Sequence, residues 1–410
     1  MKAYPTLALL LAFLFTSTHL YSQEARVIGY LPSYRFGLSN QIEYCKLTHL
    51  NLAFANPDSN GSILIPPIGS VLADALSNNP DIIIMVSLAG GVLTPQQASN
   101  WSNLIDNPAN RPSFIANIVN YVLAHNLDGV DVDLEWNHVT IGYSDFVIEL
   151  KAALASHGKA MTAAFPNATL FSNISPAALA AFDFINIMAY DATGPWAPSS
   201  PGQHSSFSFA QDGINFWKNN VGIDSNRLNL GLPFYGYEFV NSSTVNGVSY
   251  GQMVSTNTSY ADLDRVGNTY YNGRPTIQSK VILANNECGG IFIWELGQDA
   301  FNAYSLLTAV HNQYTALGVR TSALCGNEIV LSNTSPETIE ATVVFPNPSS
   351  HYLRLSNLKN AEVYKIYSAS GQLVAEGTVV DENRIDIQSL FQGLYLLRLE
   401  NGVCLRFLKI

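Results

Sequence analysis

The stretch "LDGVDVDLEW", residues 127–136, interleaves four acids, Asp128, Asp131, Asp133 and Glu135, with Gly129, Val130, Val132 and Leu134. Only 12% of the chain is charged, so this density of carboxyl groups in an apolar run needs a physical reason. Residues two apart on a strand share a face. Asp131, Asp133 and Glu135 therefore point one way and Val130, Val132 and Leu134 the other. A strand with one acidic and one hydrocarbon face fits a barrel in which the acids line the interior and rise toward the C-terminal rim, where barrel active sites lie.

Working outward, seven more runs have strand character: "RVIGYL" (26–31), "THLNLAF" (48–54), "DIIIMVSL" (81–88), "AMTAAF" (160–165), "FDFINIMAY" (182–190), "RLNLGLPF" (227–234) and "GGIFIWEL" (289–296). Helical stripes fill several gaps. Phe114, Ile118 and Val122 recur within 112–126, with Pro112 suited to the first turn, and Phe146, Leu150 and Leu154 within 143–157, closed by Gly158. Strands alternating with helices imply parallel strands joined by crossovers. Eight such units predict an α/β fold, a (β/α)₈ TIM barrel over 24–318. A doubly wound open sheet is the competing architecture, but no glycine-rich dinucleotide fingerprint follows the first strand.

The texture changes after about residue 318. Residues 319–340 are polar and read as a linker, and 341–410 carry short alternating runs such as "YLRLSN" and "GLYLLRL", which predict a small all-β, sandwich-like module. At the other end, Lys2, the apolar run "LALLLAFLF" (7–15) and the small Ser22 read as a signal peptide over 1–22, too short to span a bilayer. Cys45, Cys288, Cys325 and Cys404 are scattered, and their pairing is open.

The net charge of −11 and the lack of any basic run argue against nucleic acid or an anionic membrane as partner. No Cys/His cluster or HExxH occurs, so no metal is indicated, and no cofactor is expected. The only lysines or arginines in the predicted strands are Arg26 and Arg227, both at strand starts and so remote from the rim. Acids stacked roughly 7 Å apart without cations raise one another's pKa, which suits a general acid. Glu135, outermost and longest, is the acid to name.

The acids also fit the DxxDxDxE pattern, and the chain here resembles glycoside hydrolase family 18, the chitinase family. Further blocks carry the resemblance in order: "VIGYLPSY", "THLNLAFA" with Phe54, "INIMAYD" with Met188, Tyr190 and Asp191, "LGLPFYGY", and "GGIFIWELGQD" with Trp294. One block departs. In "VSLAGG" Ala89 stands where the family commonly has the first glycine of Ser-x-Gly-Gly, and its methyl is expected to crowd the strand exit. The resemblance implies cleavage of β-1,4-linked N-acetylglucosamine polymers (chitin) by substrate-assisted catalysis. Glu135 would be general acid/base, Asp133 would orient the acetamide, Asp131 would modulate Asp133 by sharing a proton, and Tyr190 would steady the acetamide. Asp191, Trp294, Met188, Phe54 and Tyr30 would contact substrate, with Asp128 supporting the strand's start. Trp101, Trp136, Trp196 and Tyr235 are further candidate sugar-binding aromatics, and His138 is read as incidental.

An endo-β-N-acetylglucosaminidase acting on N-glycan cores shares this chemistry, and a non-catalytic chitin-binding lectin shares the barrel. Lectins of this kind usually lack the terminal glutamate. The short span between strands seven and eight, about 238–288, suggests an open groove. The terminal module resembles the type IX secretion sorting domain of Bacteroidetes through "FPNPSS" (345–350), "YKIYSASGQLV" (364–374) and "LFQGLYLLRLENG" (390–402). A carbohydrate-binding module is its alternative. The expected protein is thus a secreted monomer that meets chitin or its oligosaccharides and, through its tail, the secretion machinery.

Overall fold

The computed structural model describes residues 24–322 and most of 343–410. The predicted signal peptide lies outside the described residues, as does the predicted linker beyond Ser322. The chain divides into two compact units, Met1–Ile329 and Val330–Ile410.

The first unit is built on eight parallel strands: β1 (Arg26–Pro32), β2 (His49–Pro57), β3 (Ile83–Ala89), β4 (Gly129–Asp133), β5 (Ala160–Pro166), β6 (Phe184–Met188), β7 (Leu228–Pro233) and β8 (Gly290–Trp294). Each pairs with the next, and β8 closes on β1, giving a barrel with helices outside. Arg320 accepts a bond from the Ala25 N–H beside β1, so the barrel unit reaches past the expected end at 318. Cys45 is disulfide-bonded, and Cys288 is a buried free thiol.

Alternation sorts the side chains into two apolar clusters. Val130, Val132 and Leu134 join the hydrocarbon wall between strands and helices, with Phe114, Phe146 and Trp217. Ile28, Tyr30, Met85, Phe184, Tyr190 and Phe292 fill the barrel interior. Polar residues share that interior: Asn51, Ser87, Asp131, Thr162, Asn186 and Asn229 are all fully buried.

Two expectations shift. β4 ends at Asp133 rather than Trp136, because the Asp133 carbonyl takes its last neighbouring bond from Gly90 N–H, after which Glu135 stays extended and Trp136 turns with φ +52°. The span between β7 and β8 is not simply open. It carries a small four-stranded antiparallel sheet (Tyr235–Asn241, Thr244–Ser249, Arg265–Val266, Thr269–Tyr270) and a helix, Tyr250–Thr256. A wall fits into so few residues because its first strand follows β7 after a single residue, Phe234.

Among the described residues the second unit holds a three-stranded and a four-stranded antiparallel sheet. Leu353, Leu355, Ile366, Leu397 and Phe407 form its core. Tyr395 stacks on Phe407 inside that core at 5.4 Å, so these two aromatics are packing rather than a sugar-binding row.

Candidate active site

At the C-terminal ends of the strands lies a cleft of about 730 Å³. Glu135 and Asp133 form part of its lining, with Phe54, Met188, Tyr190, Asp191 and Trp294 around them. Trp136 and Trp196 stand on its rim, more than half exposed.

The acids differ in their partners. Asp131 is fully buried and accepts three hydroxyl bonds, from Tyr30 (2.8 Å) and Ser87 (2.7 Å) on Oδ2 and from Thr162 (2.7 Å) on Oδ1. Burial raises its pKa while the three hydroxyls pull it back. Asp133 is also buried, yet among the described residues its Oδ1 has no hydrogen-bond partner. Burial, then the charges of Glu135 and Asp131, push it well above the usual carboxylate range. Asp131 thus meets three hydroxyls, and Asp133 feels it as a neighbouring charge.

Glu135 is pushed up to about 7, first by burial and then by the charge of Asp191, with a hydrogen bond from Trp136 opposing. Gly91 makes room for it, since a Cβ there would sit 2.5 Å from Glu135 Oε1. Asp128 stays out of this set. Its Oδ2 accepts from Ile84 N–H at 2.8 Å and its own N–H returns to the Ile84 carbonyl at 2.7 Å, which ties the start of β4 to β3.

Asp191 lies opposite, with φ +65°, a left-handed value that aspartate tolerates better than most residues. Its Oδ1 accepts from Tyr235 (2.5 Å) and Tyr237 (3.0 Å), both supplied by the side wall. Buried His204 backs the same loop, between Asp191 N–H and the Tyr235 carbonyl. Phe54 stacks on Trp294 at 5.4 Å and 23°, giving a flat apolar surface.

Some expected contacts fall elsewhere. Tyr30 is 1% exposed and lies under the cleft with its hydroxyl on Asp131, so it is a support and not a surface. Trp101 is packed against Phe114 and Phe146 and donates to Asn56, outside the cleft. Tyr235 holds Asp191 and does not line the cleft. Ala89 sits at φ +74°, so its departure from glycine carries backbone strain. Thr162, Tyr237 and His204 went unread. Thr162 was legible as the one polar residue in "AMTAAF", but nothing local marks His204.

Comparison with known proteins agrees with this geometry. Residues 21–299 match the glycosyl hydrolases family 18. Residues 343–406 match the secretion system C-terminal sorting domain, which addresses chains to the cell surface or exterior through the type IX system. The chain is 54% identical to the family 18 chitinase from the chitin utilization locus of Flavobacterium johnsoniae, with TM-score 0.73 over 75% of this chain and 99% of that one. A chitinase of Bacteroides thetaiotaomicron is 29% identical, with TM-score 0.62 over 71% and 96%. An endochitinase of Manduca sexta is 26% identical over 57% of this chain, and the alignment spans about half (49%) of that protein. With a family match running through the barrel strands and the acid-bearing β4, the chain belongs to glycosyl hydrolase family 18.

Proposed function

We propose that this protein hydrolyses β-1,4-linked N-acetylglucosamine polymers, chitin or its oligosaccharides, by substrate-assisted catalysis. The observation that carries this reading is the contrast between two neighbouring acids. Glu135 lines the cleft, 8% exposed, with its pKa pushed up to about 7, while Asp133, 4% exposed, lies one step deeper and is held well above the usual carboxylate range. Glu135 suits the proton donor. Asp133 sits one step deeper than Glu135 on the same side of the segment, which favours the acetamido oxygen of the substrate over Asp133 as the nucleophile. As that oxygen bonds to the anomeric carbon, the glycosidic bond breaks and the leaving oxygen takes the proton of Glu135. Glu135 then removes a proton from water, which opens the cyclic intermediate. Asp133 and Tyr190 orient the acetamide, and Asp131 sets the charge of Asp133. Phe54 and Trp294 form the floor, and Met188 and Asp191 add flanking contacts. The chitinases among the similar proteins favour chitin over N-glycan cores, and a cleft-facing Glu135 disfavours a purely binding role.

Proton NMR of the first products decides the mechanism. The β-anomer should appear first from chitin oligomers, and initial α-anomer would rule out substrate assistance. Release of glycan from a high-mannose glycoprotein in preference to cleavage of chitin oligomers would move the substrate to N-glycan cores.

A further inference from the structure

Among the described residues no lysine or arginine forms an ion pair with Asp131, Asp133 or Glu135. A cation nevertheless reaches Asp131 through the barrel. Arg26, at the foot of β1, donates from Nε to Asn229 Oδ1 at 2.9 Å. Asn229 Nδ2 donates to Asn186 Oδ1 at 3.0 Å, and Asn186 Nδ2 to Tyr30 Oη at 3.0 Å. Tyr30 donates to Asp131 at 2.8 Å. Both asparagines are fully buried.

Register makes the chain possible. Arg26, Gly290, Asn229 and Asn186 are partners in sequence across β1, β8, β7 and β6. Gly290 lets the arginine cross its strand, since a Cβ there would lie 2.7 Å from Arg26 Cβ. Phe184 beneath the guanidinium (4.6 Å) and the Asn226 carbonyl hold Arg26 in place.

Valence fixes the direction of every bond. A guanidinium only donates, so Asn229 must offer its oxygen to Arg26 and its amide hydrogens to Asn186. Asn186 must then accept with its oxygen and give its amide hydrogens to Tyr30. The tyrosine oxygen is thereby an acceptor on that side, and its one proton is left for Asp131. We infer that Arg26, Asn229 and Asn186 are positioning residues whose donor-only origin commits the Tyr30 proton to Asp131, keeping Asp131 ionised and leaving the mobile proton to Asp133 and Glu135. The role assigned to that proton rests on the proposed hydrolytic reading. The ionisable groups around Asp131 are Asp133 on its own strand and Tyr30, Tyr143 and Tyr190 from neighbouring elements, none of them cationic. Ser87 and Thr162 complete its surroundings.

The test is a ¹³C carboxyl NMR titration of Asp131 in the full chain, assigned with Asp131→Asn, beside the pH profile of kcat on a chitin oligomer. Asn186→Leu cuts the chain of bonds. Arg26→Gln keeps a hydrogen bond but can also accept, so it frees the direction, whereas Arg26→Lys stays donor-only. Asp131 should titrate about one pH unit higher in Asn186→Leu and Arg26→Gln, the size of one charge-assisted bond, with the acid limb of kcat moving the same way. Arg26→Lys should titrate as wild type. Arg26 is only half-buried, so its pair of variants decides the matter even where Asn186→Leu does not fold. An unmoved Asp131 in folded Arg26→Gln, or a slower Asn186→Leu with unchanged titration, overturns the inference. A wild type that cuts no chitin oligomer while Asp131 still shifts would remove the hydrolytic reading and leave the directed chain standing.

Discussion

The outer face of β4 sends Val130, Val132 and Leu134 into the hydrocarbon wall, while its inner side and the extended residues after it carry Asp131, Asp133 and Glu135. Each wall residue stabilises by roughly 1.5–3 kcal/mol through burial. Each inner carboxyl works against folding whenever it must carry charge away from water. Asp131 recovers part of that cost through three hydroxyls, but Asp133 Oδ1 recovers none. Stability and chemistry are thus drawn from opposite sides of the same segment, and substitutions should separate them.

The largest effect is expected inside. Glu135→Gln preserves shape and removes the proton donor, so kcat should fall by at least about a thousandfold with KM little changed. A variant within tenfold of wild type on a chromogenic N-acetylglucosamine oligomer would make the acids structural. The wall should answer in the other currency. Phe146 is fully buried and stacks on Phe114 at 5.7 Å. Phe146→Ala should lose roughly 3–5 kcal/mol of stability while the folded fraction keeps its kcat, as denaturant titration and active-site normalised rates will show.

A smaller effect ties the two sides together. Glu135 titrates at about 7 in the folded protein against 4.5 for the unperturbed group. The folded state therefore binds the extra proton, and the stability this brings is complete below pH 4.5 and lost as pH rises to 7. Glu135→Gln should be more stable than wild type above pH 7, by on the order of 3 kcal/mol, with the gain vanishing toward pH 4. An equal difference at both pH values would contradict the assignment. The hydrolytic rate should also decline above about pH 7 as the donor empties.

The smallest effect concerns Ala89 at the exit of β3. Its left-handed backbone costs roughly 1–2 kcal/mol, and a glycine there would give back roughly 0.5–1 kcal/mol in unfolded-chain entropy. Ala89→Gly should thus stabilise by about 0.5–1 kcal/mol, visible as a raised Tm. A lowered Tm would mean that the methyl packs usefully.

What the sequence made legible was whatever repeats at short range. Eight strands followed from short apolar runs set between helical stretches, and the helices over 111–124 and 143–155 from stripes four residues apart. The acid set was readable because its spacing matches the pleat. Where contacts are distant, reading failed. The hydroxyls on Asp131 come from positions 30, 87 and 162, on three different strands. Trp101 could not be sorted from the cleft tryptophans, since its partners Asn56 and Phe146 lie 45 residues away on either side. The side wall escaped because two of its strands are only two residues long. Single asparagines in β6 and β7 look incidental until register sets them side by side.

The alternation along 129–135 also limits how this gene segment can vary. Replacing one letter changes one side chain, but adding or removing one codon reverses every later residue between interior and wall. A single-residue insertion after Val130 would send the acids into hydrocarbon and the aliphatics into the cleft, with no partial version of the damage. This stretch is therefore open to spelling changes and closed to changes of length, whereas a surface turn such as Asn241–Thr244 in the side sheet, exposed and joining two short strands, is free to grow or shrink.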